Sequence, residues 1–233
     1  PTLKIQQKIV GILDTFSELT AELTAELTAE LTARKKQYEY YREQLLTFEE
    51  DEVEWKTLGE ITNILRGKRL TRNLLLPTEK YPVFHGGLEP LGFYSKFNRP
   101  AHTVMIINVG ASAGTIGYSS VKFWSSDGCF CIEHSNILNS KFLYYYLVCE
   151  QEFLKSRVRV AGIPTLDSFV IEKLEIPIPC PNNPEKSLAI QQKIVGILDT
   201  FSELTAELTA ELTARKKQYE YYRDLLLSFP KDK

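Results

Sequence analysis

A chain of 233 residues, 43% hydrophobic and 25% charged, has enough apolar material for one or two domains with a real core. Its formal net charge of −2 is near neutral, and no apolar run approaches the roughly 18 residues of a membrane-spanning helix. That excludes a helical membrane protein, and with no signal-peptide pattern at its start a reduced, cytoplasmic chain is expected.

The opening Pro1-Thr2 fits either loss of an initiator methionine or an excised fragment. The first element is then a long helix. Residues 5–42 read IQQKIVGILDTFSELTAELTAELTAELTARKKQYEYYR, rich in strong helix formers and without proline. Ile5, Ile9, Ile12, Phe16 and Leu19 follow a 4-3-4-3 spacing, which makes a coiled-coil seam. Leu23, Leu27 and Leu31 continue at a spacing of four, and Tyr38, Tyr41, Leu45 and Phe48 resume the stripe. Four residues exceed one 3.6-residue turn, so each Thr-Ala-Glu-Leu unit adds about 6 Å of helix and roughly 40° of drift. Such a helix is a ruler that gains or loses length by whole units.

A region of different character follows, at 49–187. It begins with an acidic connector, Glu49-Glu50-Asp51-Glu52, and continues in short apolar segments broken by Gly, Pro, Asn and Ser. Val104–Ile107, Ile116–Tyr118 and Tyr118–Trp124 read as strands, and Lys141–Lys155 reads as a helix carrying Phe142, Tyr145, Val148 and Phe153. Ile176-Pro177-Ile178-Pro179 closes the region in an extended form, since each proline biases its predecessor away from helix. Cys129 and Cys131 share one face of a strand and are expected to pack on the core. With His134 nearby they still lack the paired Cys-x-x-Cys spacing of a zinc site, and no metal is expected.

Charge sets this region apart. Between Lys56 and Arg159 stand 13 Lys or Arg against 7 Asp or Glu, a basic excess hidden by the near-neutral whole. Arg66, Lys68, Arg69 and Arg72 form the densest cluster, and Arg157 with Arg159 a second. Tyr81, His85, Tyr94, Lys96, Asn98 and Arg99 lie in a loop-rich stretch, and Ser112 in a glycine-rich turn. Cations interleaved with aromatics and amides suit phosphate neutralisation plus base-edge contacts, although ordinary surfaces also carry such clusters.

The chain ends on a second helix. Residues 190–223 repeat the first copy, with two Thr-Ala-Glu-Leu units in place of three, after an Asn183-Pro184 cap and first-turn proline. The division is 1–48 for the first helical copy, 49–187 for the central domain and 188–233 for the second copy. The expected fold class is α+β: one mixed α/β domain plus two long helices forming an antiparallel coiled coil. Pairing between two chains would satisfy the same stripe.

Catalytic motifs are missing. Gly110 to Gly117 precedes a strand rather than opening a helix, which a nucleotide loop requires. The sequence holds no Walker loop, no Asn/Asp-Pro-Pro-Tyr, no His-Glu-x-x-His, and no triad spacing around His85, His102 or His134.

The chain resembles the specificity subunits of type I restriction–modification systems. The resemblance rests on Ile190-Gln191-Gln192-Lys193-Ile194 with Leu198-Asp199 after Ile176-Pro177-Ile178-Pro179, on the Thr-Ala-Glu-Leu repeats, and on Arg-Lys-Lys-Gln-Tyr before Tyr-Tyr-Arg. Glu54 to Ile61 and Gly162-Ile163-Pro164-Thr165-Leu166 fit the same pattern. It implies a non-catalytic target recognition domain held by spacer helices, which dock methyltransferase subunits and, through the complex, restriction subunits. Double-stranded DNA is then the ligand, and S-adenosylmethionine the cofactor of the partner methyltransferase, with no cofactor in this chain. Members usually carry two recognition domains and this sequence has one, so it resembles a half-subunit expected to read an interrupted palindrome as a homodimer. The competing expectation is a scaffold or inhibitor that docks methyltransferase subunits without useful DNA specificity. A methyltransferase or nuclease in its own right has little support.

Overall fold

The computed structural model describes residues 1–50 and 52–229; Asp51 of the acidic connector and the last four residues of the second helical copy lie outside the described residues. It divides into two compact units: Pro1–Arg42 together with the chain from Ile197, and Glu43–Gly196.

The first unit is made from α1 (Leu3–Leu46) and α6 (Pro184–Leu227). Phe16 meets Tyr222 at 5.6 Å between ring centroids, and Tyr41 meets Phe201 at 5.3 Å, so residue numbers rise on one helix as they fall on the other. The pair is antiparallel. Phe16 and Phe201 occupy the same position in the two repeats, as do Tyr41 and Tyr222, and one contact is therefore made twice. The spans between them differ: 25 residues from Phe16 to Tyr41 but 21 from Phe201 to Tyr222. In ideal helix those are about 38 and about 32 Å, and the surplus Thr-Ala-Glu-Leu unit is absorbed between the two aromatic pairs.

Burial in α1 departs from the expected continuous seam. Leu27 and Leu31 are buried, whereas Ile5, Ile12, Phe16 and Leu19 are exposed. The antiparallel register accounts for the open start of α1: Phe16 meets Tyr222 only five residues before α6 ends at Leu227, so the first turns of α1 have little of the partner helix beside them.

The second unit holds three small sheets. β1 (Val53–Thr57) pairs antiparallel with β9 (Glu175–Pro179). β2 (Ile64–Arg66), β8 (Cys129–Ile132), β5 (Thr103–Ile107) and β6 (Ile116–Ser119) form an antiparallel sheet in that order. β4 (Gly92–Tyr94), β3 (Tyr81–Phe84) and β7 (Trp124–Ser125) form the third, with β3 and β7 parallel. The β-branched run of β5 is buried throughout, as a central strand covered on both faces requires. Cys129 and Cys131 are fully buried in one cluster with Phe84, Met105, Ile107 and Phe123. Burial pushes the Cys129 thiol up to about 12 and raises that of Cys131.

Two expected elements differ. The helix expected over Lys141–Lys155 is split into α3 (Ser140–Cys149) and α4 (Gln151–Ser156), because Glu150 leaves helical geometry at ψ 1°. Tyr118–Trp124 is not one strand: Ser119 Oγ donates to the Val121 carbonyl at 2.7 Å and turns the chain, leaving only Trp124 and Ser125 in β7. The short α2 (Leu58–Ile61) and α5 (Ser168–Glu172) complete the unit.

The start of α6 belongs to this unit. Asn183 Oδ1 accepts from the Lys186 N–H at 3.0 Å, the expected cap. Gln191 is wholly buried: its Oε1 accepts from the Asn139 N–H at 2.7 Å, and its Nε2 donates to the Ile137 carbonyl at 3.0 Å. Asn139 in turn caps α3, its Oδ1 accepting from Lys141 N at 2.8 Å and Phe142 N at 3.1 Å. Among the described residues no helix is long and apolar enough to cross a membrane.

Candidate nucleic-acid interface

The basic loop after β2 is held from below by backbone. Gly67 N–H donates to the Cys129 carbonyl at 3.1 Å and Lys68 N–H to that of Ser125 at 2.9 Å. The Trp124 indole N–H closes on the Lys68 carbonyl at 2.8 Å. Only glycine fits at position 67, since a Cβ there would lie 1.8 Å from the Ser126 carbonyl oxygen. The loop passes so close to the β7–β8 turn that its side chains project the other way: Arg66, Lys68, Arg69 and Arg72 are all exposed.

Asn98 and Arg99, expected as base readers, brace this region: Arg99 bonds the loop itself and Asn98 bonds Ser125 of β7 beside it. Asn98 exchanges two hydrogen bonds with the Ser125 backbone, at 2.9 and 2.7 Å. Arg99 donates to the Arg66 carbonyl at 2.8 Å and to that of Asn98 at 2.8 Å. Both side chains are half-buried, and the Asn98 amide and the two terminal nitrogens of Arg99 bond backbone. They position the cations.

His85 ends next to β3, and its Nδ1 accepts from the Gly128 N–H at 3.1 Å. A nitrogen that accepts carries no proton, so the neutral ring bears its hydrogen on Nε2. The same Nδ1 stands 3.3 Å from Asp127 Oδ1, a distance that becomes an ion pair only when the ring is protonated. Arg69, Thr71, Arg72, His85, Ser126 and Asp127 line a cavity of about 300 Å³. Three of the expected contact residues (Arg69, Arg72 and His85) are thus brought together around one opening, with Arg66 and Lys68 on the same loop.

Beside these lie aromatic rings with partners of their own. Tyr81 packs on Phe97 at 5.0 Å, Lys122 Nζ sits 4.6 Å over Phe97, and Tyr94 meets Trp124 edge-on at 5.3 Å. Lys96 is fully on the surface. The remaining expected residues are not part of the cavity lining. Ser112 is half-buried in the turn between β5 and β6, where its carbonyl accepts from Thr115 N. Arg159 is paired with Asp167 at 3.0 Å. Arg157 stacks 4.8 Å over Phe153 beside a separate groove of about 550 Å³ with Trp55, Phe169 and Lys173. Burial raises the Glu150 carboxyl and the Tyr146 phenol in that groove.

Sequence reasoning passed over Asp127, Trp124 and Lys122. Ser-Ser-Asp-Gly at 125–128 is a visible turn signal, but an acidic residue draws no attention in a search for phosphate contacts.

Comparison with known proteins places these features in context. Residues 50–215 match the family described as type I restriction modification DNA specificity domain. The specificity subunit of the type I restriction enzyme EcoR124I/EcoR124II of Escherichia coli is 36% identical over 265 residues, covering 99% of this chain and 61% of that protein. A Mycoplasma pneumoniae protein named as a type I specificity subunit is 32% identical, covering 98% of this chain and 94% of its own length. The crystal structure of the S subunit of a type I restriction–modification system from M. genitalium superposes with a TM-score of 0.73 at 24% identity, covering 100% of this chain and 62% of that one. The chain thus spans about three fifths of the Escherichia coli relative and of the M. genitalium structure.

Proposed function

Because the chain belongs to the family of type I restriction–modification DNA specificity domains, we propose that it is a non-catalytic module that reads one half-site of duplex DNA. The observation that carries this reading is the cluster of Arg69, Arg72 and His85 around one cavity, beside a basic loop whose backbone is pinned at Arg66 by Arg99 and at Lys68 by Trp124. Exposed arginines and lysines on a fixed loop suit phosphate positioning, while His85 and its neighbours are at hand for base edges. Methyltransferase subunits dock on the helices in this reading, restriction subunits join through them, and S-adenosylmethionine is bound by the methyltransferase.

A homodimer on an interrupted palindrome fits the helices. Ile194, Val195 and Leu198 of the second copy are buried, at 6, 3 and 0% exposure; of their counterparts in the first copy, Val10 is 54% exposed and Ile9 and Leu13 are half-buried. The same sequence is therefore covered in one place and available in another, as a symmetric partner requires.

Selection from a random duplex library, with the full chain mixed with methyltransferase subunits, tests the reading. An interrupted palindrome supports recognition and the dimer together. A single short motif supports a half-reader acting alone and removes the dimer. Complex formation with no motif recovered overturns recognition in favour of a scaffold.

A further inference from the structure

A carboxylate among phosphate-facing cations is unexpected, because it weakens the attraction those cations exert on DNA. Asp127 stands in that position, on the wall of the cavity with Arg69, Arg72 and His85. Such an acid is ordinarily explained as a tether for its arginines. Here, among the described residues, neither arginine comes within ion-pair distance of it; the side chain that does is the His85 ring, its Nδ1 3.3 Å from Oδ1. Oδ1 also accepts from Ser126 Oγ at 3.0 Å. Oδ2 has no donor among the described residues, and the side chain is 35% exposed. One oxygen is anchored and the other is left without a protein donor.

Resting on the recognition reading above, we propose that Asp127 determines specificity: Oδ2 accepts a hydrogen bond from the exocyclic amino group of a cytosine or adenine and rejects guanine and thymine. The major-groove edges supply the reason. Cytosine offers its N4 amino group and adenine its N6 amino group, both donors; guanine offers O6 and N7 and thymine O4, all acceptors. A carboxylate facing an acceptor loses its water and gains no partner, so the wrong base is excluded as well as the right one held. The anchoring by Ser126 restricts the carboxylate's rotation, which gives the preference a defined direction. Arg69 and Arg72 offset the repulsion between this acid and the phosphates.

The test is the same library selection with the wild-type full chain, Asp127→Asn and Asp127→Ala. Asn keeps the shape and the Ser126 anchor but puts an N–H donor where Oδ2 accepts, so it serves where Ala disturbs folding; thermal melting checks both. The expected result is one position restricted to A or C in the wild type, with that preference over G or T lowered about tenfold or more in both variants and every other position retained. A second measurement uses a duplex whose selected base is replaced by an analogue lacking the amino group. Wild type then loses about tenfold in affinity, and Asp127→Ala loses none. A wild-type motif unchanged in both variants overturns the role of Asp127 and leaves recognition standing. A wild-type chain that selects no motif overturns recognition, and this proposal with it.

Discussion

Replacing Gln191 with Ala and, separately, Gln6 with Ala probes two residues that occupy the same position in identical sequence, Ile-Gln-Gln-Lys-Ile-Val-Gly-Ile-Leu-Asp. Gln191 is fully buried and bonds the Asn139 N–H at 2.7 Å and the Ile137 carbonyl at 3.0 Å. Gln6 is exposed and donates to the Pro1 carbonyl at 3.0 Å. Truncating Gln191 leaves two backbone groups without partners, at about 1–3 kcal/mol each, so a loss of about 3 kcal/mol is expected. In a chain of this size, with about 2–4 °C per kcal/mol, that is a fall in Tm of about 6–12 °C. Truncating Gln6 removes one solvent-exposed bond and installs a better helix former, and the change stays within about 0.5 kcal/mol. Thermal unfolding by circular dichroism reads both, and native-state hydrogen exchange at Asn139 reports the local opening. Equal shifts in the two variants would refute the reasoning, as would Gln191→Ala melting within about 1 °C of wild type.

Three further outcomes are expected. Gly67→Ala forces a Cβ to within 1.8 Å of the Ser126 carbonyl, a collision with backbone that no rotamer relieves; the loop must leave the turn, and DNA affinity in a gel-shift assay falls more than it does for Gly87→Ala, where the space is open. Arg69→Ala and Arg72→Ala should each lower the slope of log affinity against log salt by about 1, with the selected motif retained; an unchanged slope removes that arginine from the phosphate contacts. Cys129, pushed up to about 12 by burial, stays a neutral thiol through pH 9, so alkylation followed by mass spectrometry should label Cys149 and Cys180 first; labelling of Cys129 at the same rate in native protein would contradict the burial.

Much of the architecture was legible in the residues themselves. The helical period and the repeats placed α1 and α6, because a stripe of apolar residues every three or four positions is a local signal. The Asn183 cap, the extended Ile-Pro-Ile-Pro segment and the shared face of Cys129 and Cys131 are likewise consequences of neighbours a few positions apart. The candidate interface was legible in part: the basic loop stood out by charge, and Arg69, Arg72 and His85 do meet around one cavity. Asn98 and Arg99 carry the right chemistry for base contacts, and the Asn98 amide and an Arg99 terminal nitrogen bond the backbones of Ser125 and Arg66, which lie 27 and 33 positions away in the chain. Asp127 escaped notice for the opposite reason: its sign argued against DNA, and only its place beside two arginines and a histidine gives it a use.

What the sequence determined alone is everything that depends on local spacing: two helices of one design, a central domain between them, the number of ruler units, and the absence of catalytic motifs. What the tertiary structure decided is the environment of each residue. Val10 and Val195 are the same residue in the same ten-residue stretch, and one is 54% exposed while the other is 3%. No local signal separates them. Burial is set by what the fold brings against a surface: Gln191 of the second copy is closed in by the Asn139 N–H and the Ile137 carbonyl, whereas its counterpart Gln6 is exposed.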